Sequence, residues 1–333
     1  MTYYNSCTTI QKRVIINMSV IIVTGSAGYI GGQIMLQLKD AGHTVYGIDR
    51  QQPPKHLLGV CDKFLYQDFA SDVALSWIIA KQPDAIIHCA GTSLVGPSMK
   101  NPADYYNNNV VKTLKLLDIV KNSLPRTRFI FSSSAATYGE PIMNPCQEVD
   151  PCEPVSPYGQ SKLMVEQILE SYHRAYNLDY VAFRYFNACG ADSQGRHGQA
   201  PGATHIIARV LESIRDQKEF VLNGNDFPTE DGTCVRDYVH VEDIAGAHVL
   251  ALDRKIEPSV YNLGSNMGTS NRGIIEAALD ETQRPLNVIV GARREGDPAM
   301  LTASDAKFAS IVGKWRHHIL DDIIRHTWSW YVR

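Results

Sequence analysis

A glycine-rich turn between a short apolar strand and a helix constrains the fold of this chain more than any other feature. A β-branched run, typical of a buried parallel strand, spans residues 20–23. Gly25, Gly28 and Gly31 follow at three-residue spacing, and a mostly apolar helical segment comes directly after them. Because glycine has no Cβ, such a turn lets the backbone approach a neighbouring strand or a phosphate group closely. This context predicts a dinucleotide-binding turn with a pyrophosphate at the helix N-terminus.

An acidic residue at the end of the next predicted strand, 44–48, indicates which dinucleotide the turn would hold. Asp49 stands there, where a carboxylate can accept hydrogen bonds from the hydroxyls of an adenine ribose. Its charge would repel a 2′-phosphate, which favours NAD over NADP, although Arg50 beside it weakens that preference. Asp68 ends a third predicted strand and could contact the adenine, or could equally cap a helix.

Strands and helices alternate through the first half of the chain, which predicts an α/β fold with a doubly wound parallel sheet of the Rossmann type. Further strands are predicted at 64–66, 85–89, 129–132 and 180–183, and long helices at 105–120 and 158–176. After residue 185 the alternation breaks, and Gly, Asp and Ser in 190–202 indicate a loop. We therefore expect an NAD-binding domain over 18–185, joined by part of 233–260, and a smaller mixed α/β substrate lobe over 186–333.

Composition excludes several classes of protein. The formal net charge of -3 offers no basic face for nucleic acid. No apolar run reaches the ~18 residues of a membrane span. Seven cysteines without a CxxC pair and eleven histidines without an HExxH pair disfavour a disulfide framework and a metal site. We therefore expect a protein of a reducing compartment, the cytoplasm, with no nucleic-acid or membrane partner.

Residues 1–17 precede the first predicted strand and contain Lys12 and Arg13 but no acidic residue. They lack the long apolar stretch of a secretory signal, and a second methionine, Met18, follows them. We expect an N-terminal extension that is disordered or that reflects a start site assigned too early. An organelle-targeting interpretation stays open, because the segment bears Ser and Thr and is free of acids.

A Ser–Tyr–Lys triplet predicts redox chemistry on an alcohol. Tyr158 and Lys162 lie four residues apart in a predicted helix and share one face. Ser134 follows a strand, and ligands of open α/β sheets sit beyond the carboxyl ends of the strands. Ionising a tyrosine at pH 7 costs ~4 kcal/mol, and an ammonium ~5–6 Å away at an effective dielectric of ~20 returns about 3 kcal/mol. With the further help of a positive nicotinamide ring, Tyr158 becomes a base for a sugar hydroxyl that Ser134 orients.

Nine short segments carry a resemblance to a known family. They are TGSAGYIGG (24–32), HCAG (88–91), YYNNNV (105–110), FSSSAATYGE (131–140), PYGQSK (157–162), RYFNACGAD (184–192), GNDFPTEDGTCVRDYVHVED (224–243), YNLGS (261–265) and RREGDPA (293–299). The chain resembles the extended short-chain dehydrogenase/reductase family, and within it the UDP-glucose/UDP-galactose 4-epimerase group, from about residue 19 to 331. The segment 224–241 is the one most specific to that group.

The resemblance implies NAD as the cofactor and a UDP-sugar as the substrate. The implied NAD contacts are Gly25, Gly28, Tyr29, Ile30, Gly31, Asp49, Arg50, Asp68, Phe69, Cys89, Ala90, Gly91, Ser93, Asn109, Tyr158, Lys162, Tyr185 and Phe186. The implied substrate contacts are Ser134, Tyr158, Asn187, His205, Ile206, Val221, Leu222, Asn223, Arg236, Arg294, Asp297 and Leu301. The arginines suit a diphosphate, because guanidinium offers a planar fork of donors. A salt bridge to Asp237 or Glu242 is the alternative for Arg236.

The implied reaction inverts carbon 4 of a UDP-hexose without net oxidation. Tyr158 takes the proton of the carbon-4 hydroxyl and the hydride passes to the nicotinamide. The flat 4-keto sugar then turns about its diphosphate tether and takes the hydride back on its other face. Members of this family are often homodimers through two long helices, here those at 105–120 and 158–176.

Four positions depart from the usual epimerase pattern. Ser93 replaces a lysine near the nicotinamide ribose, His205 replaces an asparagine that binds substrate, and Asn223 replaces an aromatic residue near uracil. Leu301, or Met300 if the segment shifts by one residue, replaces a tyrosine that limits bulk at carbon 2 of the sugar. We therefore hypothesise a wider pocket that admits N-acetyl sugars.

Alternatives stay open within and outside the enzymes of this family. Sugar dehydratases carry an Asp-Glu pair where this chain has Ala135 and Ala136, so elimination of water should fail. A 4-epimerase of another UDP-sugar (an N-acetylhexosamine, a pentose or a uronate) stays possible, and His205 or Arg209 could face a uronate carboxylate. A non-catalytic NAD-binding sensor is the alternative from another class. The intact triplet argues against it, because a sensor needs no phenolate.

Overall fold

A parallel sheet of seven strands forms the centre of the structure, a computed structural model that describes residues 18–293 and 298–333. Its strands are β1 (Val20–Thr24), β2 (Thr44–Asp49), β3 (Lys63–Tyr66), β4 (Ala85–His88), β5 (Arg128–Ser134), β6 (Tyr180–Tyr185) and β10 (Ser259–Leu263). They lie in the order β10-β6-β5-β4-β1-β2-β3, and all neighbouring pairs are parallel. The order changes direction between β1 and β4, which confirms the predicted doubly wound α/β fold.

Helices cover both faces of this sheet, which is why its strands are apolar along most of their length. Helices α1 (Tyr29–Asp40) and α8 (Val241–Leu250) lie on one face, and α2 (Asp72–Lys81), α5 (Lys112–Ser123) and α6 (Pro157–Tyr176) on the other. Alternate residues of β1 join different cores: Ile21 packs with residues of α1 and α8, and Ile22 packs with residues of α2, α5 and α6. The strands are therefore buried from both sides, and their carboxyl ends are left to form a site.

Local capping residues fix where the helices begin and end. Ser71 accepts a hydrogen bond from the Ala74 N–H (3.2 Å) at the start of α2, and Ser156 accepts one from the Gly159 N–H (3.2 Å) at the start of α6. Gly42 follows α1 with a φ of +86°, a conformation that glycine adopts without strain. The cap at Ser156 places Tyr158 in the first turn of α6.

The predicted helix 105–120 differs from the structure, where the chain runs through successive helical segments. These segments are α3 (Val95–Lys100), α4 (Pro102–Tyr105), a π-helical turn (Tyr106–Val111) and then α5. Within the π-helical turn, the Asn109 amide donates to Thr92 O (3.0 Å) and to Ser161 Oγ (2.9 Å). Thr113 Oγ1 donates to Asn109 O (2.7 Å). These side-chain bonds tie the turn to the loop after β4 and to α6, and π-turns of this kind often mark functional sites.

The chain after β6 builds a second set of smaller sheets and helices. The strands are β7 (Asn187–Cys189), β8 (Phe220–Asn223), β9 (Val235–His240), β11 (Gly268–Ser270), β12 (Val288–Gly291) and β13 (Met300–Leu301), and the helices are α7 (Ile206–Asp216), α9 (Asn271–Thr282), α10 (Ala306–Val312) and α11 (Leu320–Tyr331). Strand β9 pairs with β7, β11 and β13, and β8 pairs with β12. Helices α7, α9 and α11 enclose a separate apolar core.

Parts of this second half return to the large sheet. Strand β10 is its edge, next to β6, and α8 packs against α1. We propose that the NAD-binding domain ends near residue 185 and that part of 233–260 also belongs to it. The predicted extension 1–17 lies outside the described residues. Within the described ranges, no helix combines the length and the apolarity that a membrane crossing requires.

Candidate active site

A cavity of about 1000 Å³ opens at the carboxyl ends of the parallel strands, a size typical of small-molecule sites. It extends from the glycine turn, past the triplet, to Arg236 and Leu301 of the second half. The predicted site residues that line it are Gly25, Gly28, Tyr29, Ile30, Gly31, Asp49, Arg50, Asp68, Phe69, Cys89, Ala90, Gly91, Ser93, Ser134, Tyr158, Lys162, Tyr185, Phe186, Asn187, His205, Arg236 and Leu301. One cavity thus joins the residues expected for cofactor, chemistry and substrate.

The glycine turn packs so closely that larger residues would not fit. Gly25 has a φ of +72°, and a Cβ on it would lie 2.6 Å from Ala90 N. A Cβ on Gly31 would lie 2.2 Å from Gly25 O. The first residues of α1 line the cavity, and no side chain caps this helix at Gly28. Its N-terminal N–H groups therefore suit the pyrophosphate of a dinucleotide.

Two carboxylates mark the end of the cavity expected for adenosine. Asp49 accepts hydrogen bonds from Ala27 N (3.0 Å) and Gln51 N (2.9 Å), which orient it toward the glycine turn. Asp68 pairs with Lys112 (2.6 Å). Burial would raise the pKa of Asp68, but the hydrogen bond and charge of Lys112 lower it overall. Ser71 caps the following helix, so Asp68 does not have the capping role considered for it.

Ser134, Tyr158 and Lys162 meet in the middle of the cavity. Lys162 is 5% exposed, and its Nζ donates to Ser132 O (2.8 Å) and lies 5.9 Å from the centre of the Tyr158 ring. The Ser134 side chain lies close enough to that of Tyr158 to lower its pKa. Strand β5 thus delivers Ser134, and one face of α6 delivers the other two residues.

Burial dominates the pKa values of Tyr158 and Lys162 in the protein without its cofactor. Burial raises the pKa of Tyr158, and the nearby Ser134 side chain only partly offsets this. Burial lowers the pKa of Lys162 to about 8, against the opposing effects of Cys89 and Glu166. Tyr158 therefore keeps its proton in the protein alone, and its ionisation depends on the positive charge that a bound cofactor adds.

Five predicted site residues do not line the cavity. Asn109 lies behind its wall, where its side chain binds the backbone of Thr92 and the Ser161 hydroxyl. The other four are Ile206, Val221, Leu222 and Asn223. Ile206 begins α7, and the remaining three lie in β8, where Leu222 is 4% exposed in the separate core. The contacts of these four residues with the substrate stay predictions. Arg294 and Asp297 lie outside the described residues.

Several polar residues that the sequence did not reveal also line the cavity. They are Gln51, Gln67, Thr92, Asn108, Lys112, Gln199 and Thr204. The four-residue spacing of Asn108 and Lys112 in a helical stretch could have indicated a shared face. No periodicity marks Gln199 or Thr204, because they lie in irregular chain.

The predicted alternative partners of Arg236 bind elsewhere in the structure. Asp237 accepts hydrogen bonds from Ser265 N (2.6 Å) and Ala303 N (3.1 Å), and Glu242 pairs with His318 (3.1 Å). Arg236 itself donates to Val235 O (2.9 Å) and lines the cavity. Its guanidinium is thus placed where an anionic part of a ligand could reach it.

A histidine cluster outside this cavity does not suit a metal ion. Ligand atoms of His240, Glu242, His318 and His326 lie within 4.8 Å of one another. The rings of His240 and His318 are stacked 4.0 Å apart at 19°, so their in-plane lone pairs run parallel and cannot converge on one ion. Burial opposes a charge on His318, but hydrogen bonds with Asp243 and Glu242 raise its pKa to about 10. The cluster is a charged hydrogen-bond network around an imidazolium.

A glycine-turn dinucleotide site that shares one cavity with a Ser–Tyr–Lys triplet defines a class of NAD-dependent enzymes that act on alcohols. A profile of the NAD dependent epimerase/dehydratase family matches residues 21–264, and the chain belongs to this family, with NAD as its cofactor. The UDP-glucose 4-epimerase of Halalkalibacterium halodurans is 41% identical over 322 residues, which cover 93% of this chain and 95% of that protein.

Solved structures agree with this assignment. The crystal structure of a UDP-glucose 4-epimerase from Brucella ovis in complex with NAD is similar, with a TM-score of 0.87 and 38% identity over 93% of this chain and 97% of that one. A UDP-glucose-4-epimerase from Stenotrophomonas maltophila, with bound NAD and formylated UDP-arabinopyranose, gives a TM-score of 0.89 and 30% identity over 94% and 97% of the two chains.

Proposed function

We propose that this chain inverts carbon 4 of a UDP-hexose and interconverts UDP-glucose and UDP-galactose through a transient 4-keto sugar. The observation that carries the proposal is the single cavity in which the glycine turn, the Ser–Tyr–Lys triplet and Arg236 meet. Full-length similarity to UDP-glucose 4-epimerases supports it. The reaction needs a cofactor site, a base and an anion anchor within one enclosure, and the cavity offers residues for each.

The proton of the carbon-4 hydroxyl passes to Tyr158 and later returns from it. Ser134 lies beside Tyr158 in the cavity and can hold the same hydroxyl. Because burial raises the pKa of Tyr158, its ionisation needs positive charge in the cavity. Lys162, fixed by Ser132 O, contributes one such charge. NAD, when bound, supplies the hydride acceptor and a second positive charge on its ring.

The sugar must turn between the two hydride transfers while its nucleotide stays bound. Arg236 on β9 pairs in register with Leu301 on β13, and both line the cavity. The anion anchor and the wall of the sugar pocket therefore lie side by side. Asn187 lies close by, with its amide donating to Asp237 O (2.8 Å). A leucine at position 301 leaves more room near the sugar than a tyrosine would, which supports acceptance of N-acetyl sugars.

Incubation of the pure protein with UDP-galactose, followed by separation of the nucleotide sugars, tests the proposal. We expect UDP-glucose to form with no net change in bound NAD, because the hydride returns to the sugar. A parallel panel of UDP-N-acetylglucosamine, a UDP-pentose and UDP-glucuronate defines the substrate range. Absence of turnover of the acetylated sugar would refute the wide pocket alone. A protein that binds NAD but converts no UDP-sugar would overturn the proposed activity and favour an NAD sensor.

We also propose a homodimer and a cytoplasmic location. The resemblance that implied helix-mediated dimers supports the first, and so do the exposed apolar side chains of Val111 (48%) before α5 and Tyr176 (55%) on α6. Light scattering in solution should give twice the chain mass of 37.0 kDa, and a single chain mass would contradict the dimer. Fractionation of cells of the source organism would test the location.

A further inference from the structure

The carboxylate of Glu166 is buried beside the active site, and no step described above uses it. Glu166 follows Lys162 by four residues on α6, and Lys162 follows Tyr158 by four, so all three side chains share one face of the helix. Glu166 is 4% exposed. A buried carboxylate costs free energy unless it is paired and hydrogen-bonded, so its partners indicate what it stabilises.

Two neighbouring strands of the central sheet donate hydrogen bonds to this carboxylate. Ser133 on β5 donates its hydroxyl to Glu166 Oε1. Arg184 on β6 donates through Nη2 to Oε2 at 2.7 Å and through Nε to both oxygens at 3.1 and 3.2 Å. Ser133 directly precedes Ser134, and Arg184 directly precedes Tyr185, which lines the cavity. One carboxylate therefore joins the ends of β5 and β6 to the helix that carries the base.

Glu166 differs in chemical type from the other titratable groups around Lys162. His88 and Cys89 lie at the end of β4, and the Tyr158 ring lies on the same helix face. Burial lowers the pKa of His88 to about 3 and raises that of Cys89 to about 11, so neither is charged near pH 7. Burial also lowers the pKa of Lys162, and Glu166 raises it. Among these groups, Glu166 is the one carboxylate, and Arg184 pairs with it.

We propose that Glu166 is a positioning residue, which supplies the counter-charge of the Lys162 ammonium and fixes strand β5 against helix α6. Arg184 and Ser133 hold its carboxylate in place for this role. This role of Glu166 rests on the proposed epimerase function wherever enzyme activity is the quantity measured. It differs from a purely structural ion pair, because a structural pair would change stability without changing the pH at which Lys162 loses its proton.

A double variant that removes both charges of the pair tests this role. Glu166→Gln alone leaves Arg184 buried without its partner and can unfold the protein, so Glu166→Gln is combined with Arg184→Gln. Of the two groups removed, Glu166 shares the α6 face of Lys162 and raises its pKa, so Lys162 should release its proton at lower pH. The alkaline limb of kcat/KM should therefore move down by about one pH unit. Retention of NAD after gel filtration, measured across the same pH range, should fall at correspondingly lower pH, because Lys162 is a predicted NAD contact.

Two further variants separate positioning from stability. Glu170→Gln, one turn further along α6, replaces the charged acceptor of the Tyr180 hydroxyl (2.9 Å) with a neutral amide, and it should lower the unfolding temperature slightly while leaving the pH profile unchanged. Glu166→Asp keeps the charge on a shorter arm, so the alkaline limb should move back toward that of the wild type.

Different results would overturn the role of Glu166 and the proposed epimerase function. Profiles of activity and NAD retention that superimpose on the wild type, with only a lower unfolding temperature, would overturn the role of Glu166. A wild-type protein without epimerase activity would instead overturn the proposed function, and the pH dependence of NAD retention would still test Glu166.

Discussion

At the scale of single residues, the proposed chemistry depends most on the Tyr158 hydroxyl. Tyr158→Phe removes that oxygen and leaves the ring in its place. We expect bound NAD to be retained and turnover of UDP-galactose to fall at least about a hundredfold, because general acid–base catalysis contributes about 10²–10⁴ in rate. Turnover and bound NAD measured on the same preparation check both halves of the expectation.

A second tyrosine provides a matched control for this substitution. Tyr105 contacts the Tyr158 ring edge-on, with centroids 6.3 Å apart, and its hydroxyl donates to Leu94 O at 2.5 Å. Tyr105→Phe loses a buried hydrogen bond but no base, so a modest loss of stability with most of the turnover retained is expected. If Tyr158→Phe were as active as the wild type, Tyr158 could not be the base.

At the scale of elements, the turn between β1 and α1 gives a prediction about cofactor binding. A Cβ on Gly31 would lie 2.2 Å from Gly25 O, so Gly31→Ala must push α1 away from the turn. We expect weaker NAD retention and a lower unfolding temperature, since the displaced backbone can no longer hold the pyrophosphate. Gel filtration followed by absorbance of the bound cofactor, together with thermal unfolding, measures both effects.

The control for this prediction is a helical glycine with room beside it. A Cβ on Gly246 in α8 would first meet Gln37 Oε1 at 3.5 Å, an ordinary contact. Gly246→Ala should therefore keep the cofactor and, because alanine favours helix, should not lower stability. Equal NAD retention in the Gly31→Ala and wild-type proteins would contradict the close approach described for the turn.

The same elements show why parts of the fold could be predicted from the sequence. Six of the seven parallel strands were predicted, since each contains a short apolar run bounded by polar or glycine residues, whereas β10 was not predicted. The π-helical turn at 106–111 was not, because its cause is a bond from Asn109 to Ser161 on another helix. Tertiary contacts of this kind leave no local signal.

For the molecule as a whole, sequence reasoning identified the lining residues of the glycine turn and the triplet better than the residues expected to contact the substrate. The glycine turn and the triplet are local motifs at strand ends, and the fold brings all such ends to one edge. Val221 and Leu222 are predicted substrate contacts that the cavity does not include, because alternation along β8 turns Leu222 into a separate core and leaves Val221 38% exposed. The pairing of Leu301 with Arg236 depends on two strands far apart in sequence.

The histidine network also connects distant parts of the chain, since the segment before α11 is held to α8. His318 pairs with Asp243 (2.9 Å) and Glu242 (3.1 Å), and the backbone N–H groups of His317 and His318 donate to Asp243. The pKa of His318 is raised from 6.5 to about 10 by these hydrogen bonds, against desolvation. Its contribution to stability is therefore fully present below about pH 6.5 and is lost as the pH rises through about 10.

His318→Gln removes this charge and tests the linkage. We expect the unfolding temperature of the variant to lie a few degrees below that of the wild type near pH 6, and the gap to close as the pH approaches 10, because the wild-type imidazolium then loses its proton. The matched control is His317→Gln, since His317 is exposed and meets Asp243 through its backbone. That variant should follow the wild-type curve at every pH. A His318→Gln gap that stays constant from pH 6 to 10 would mean that the side chain contributes packing alone, with no ionic link between α8 and the start of α11.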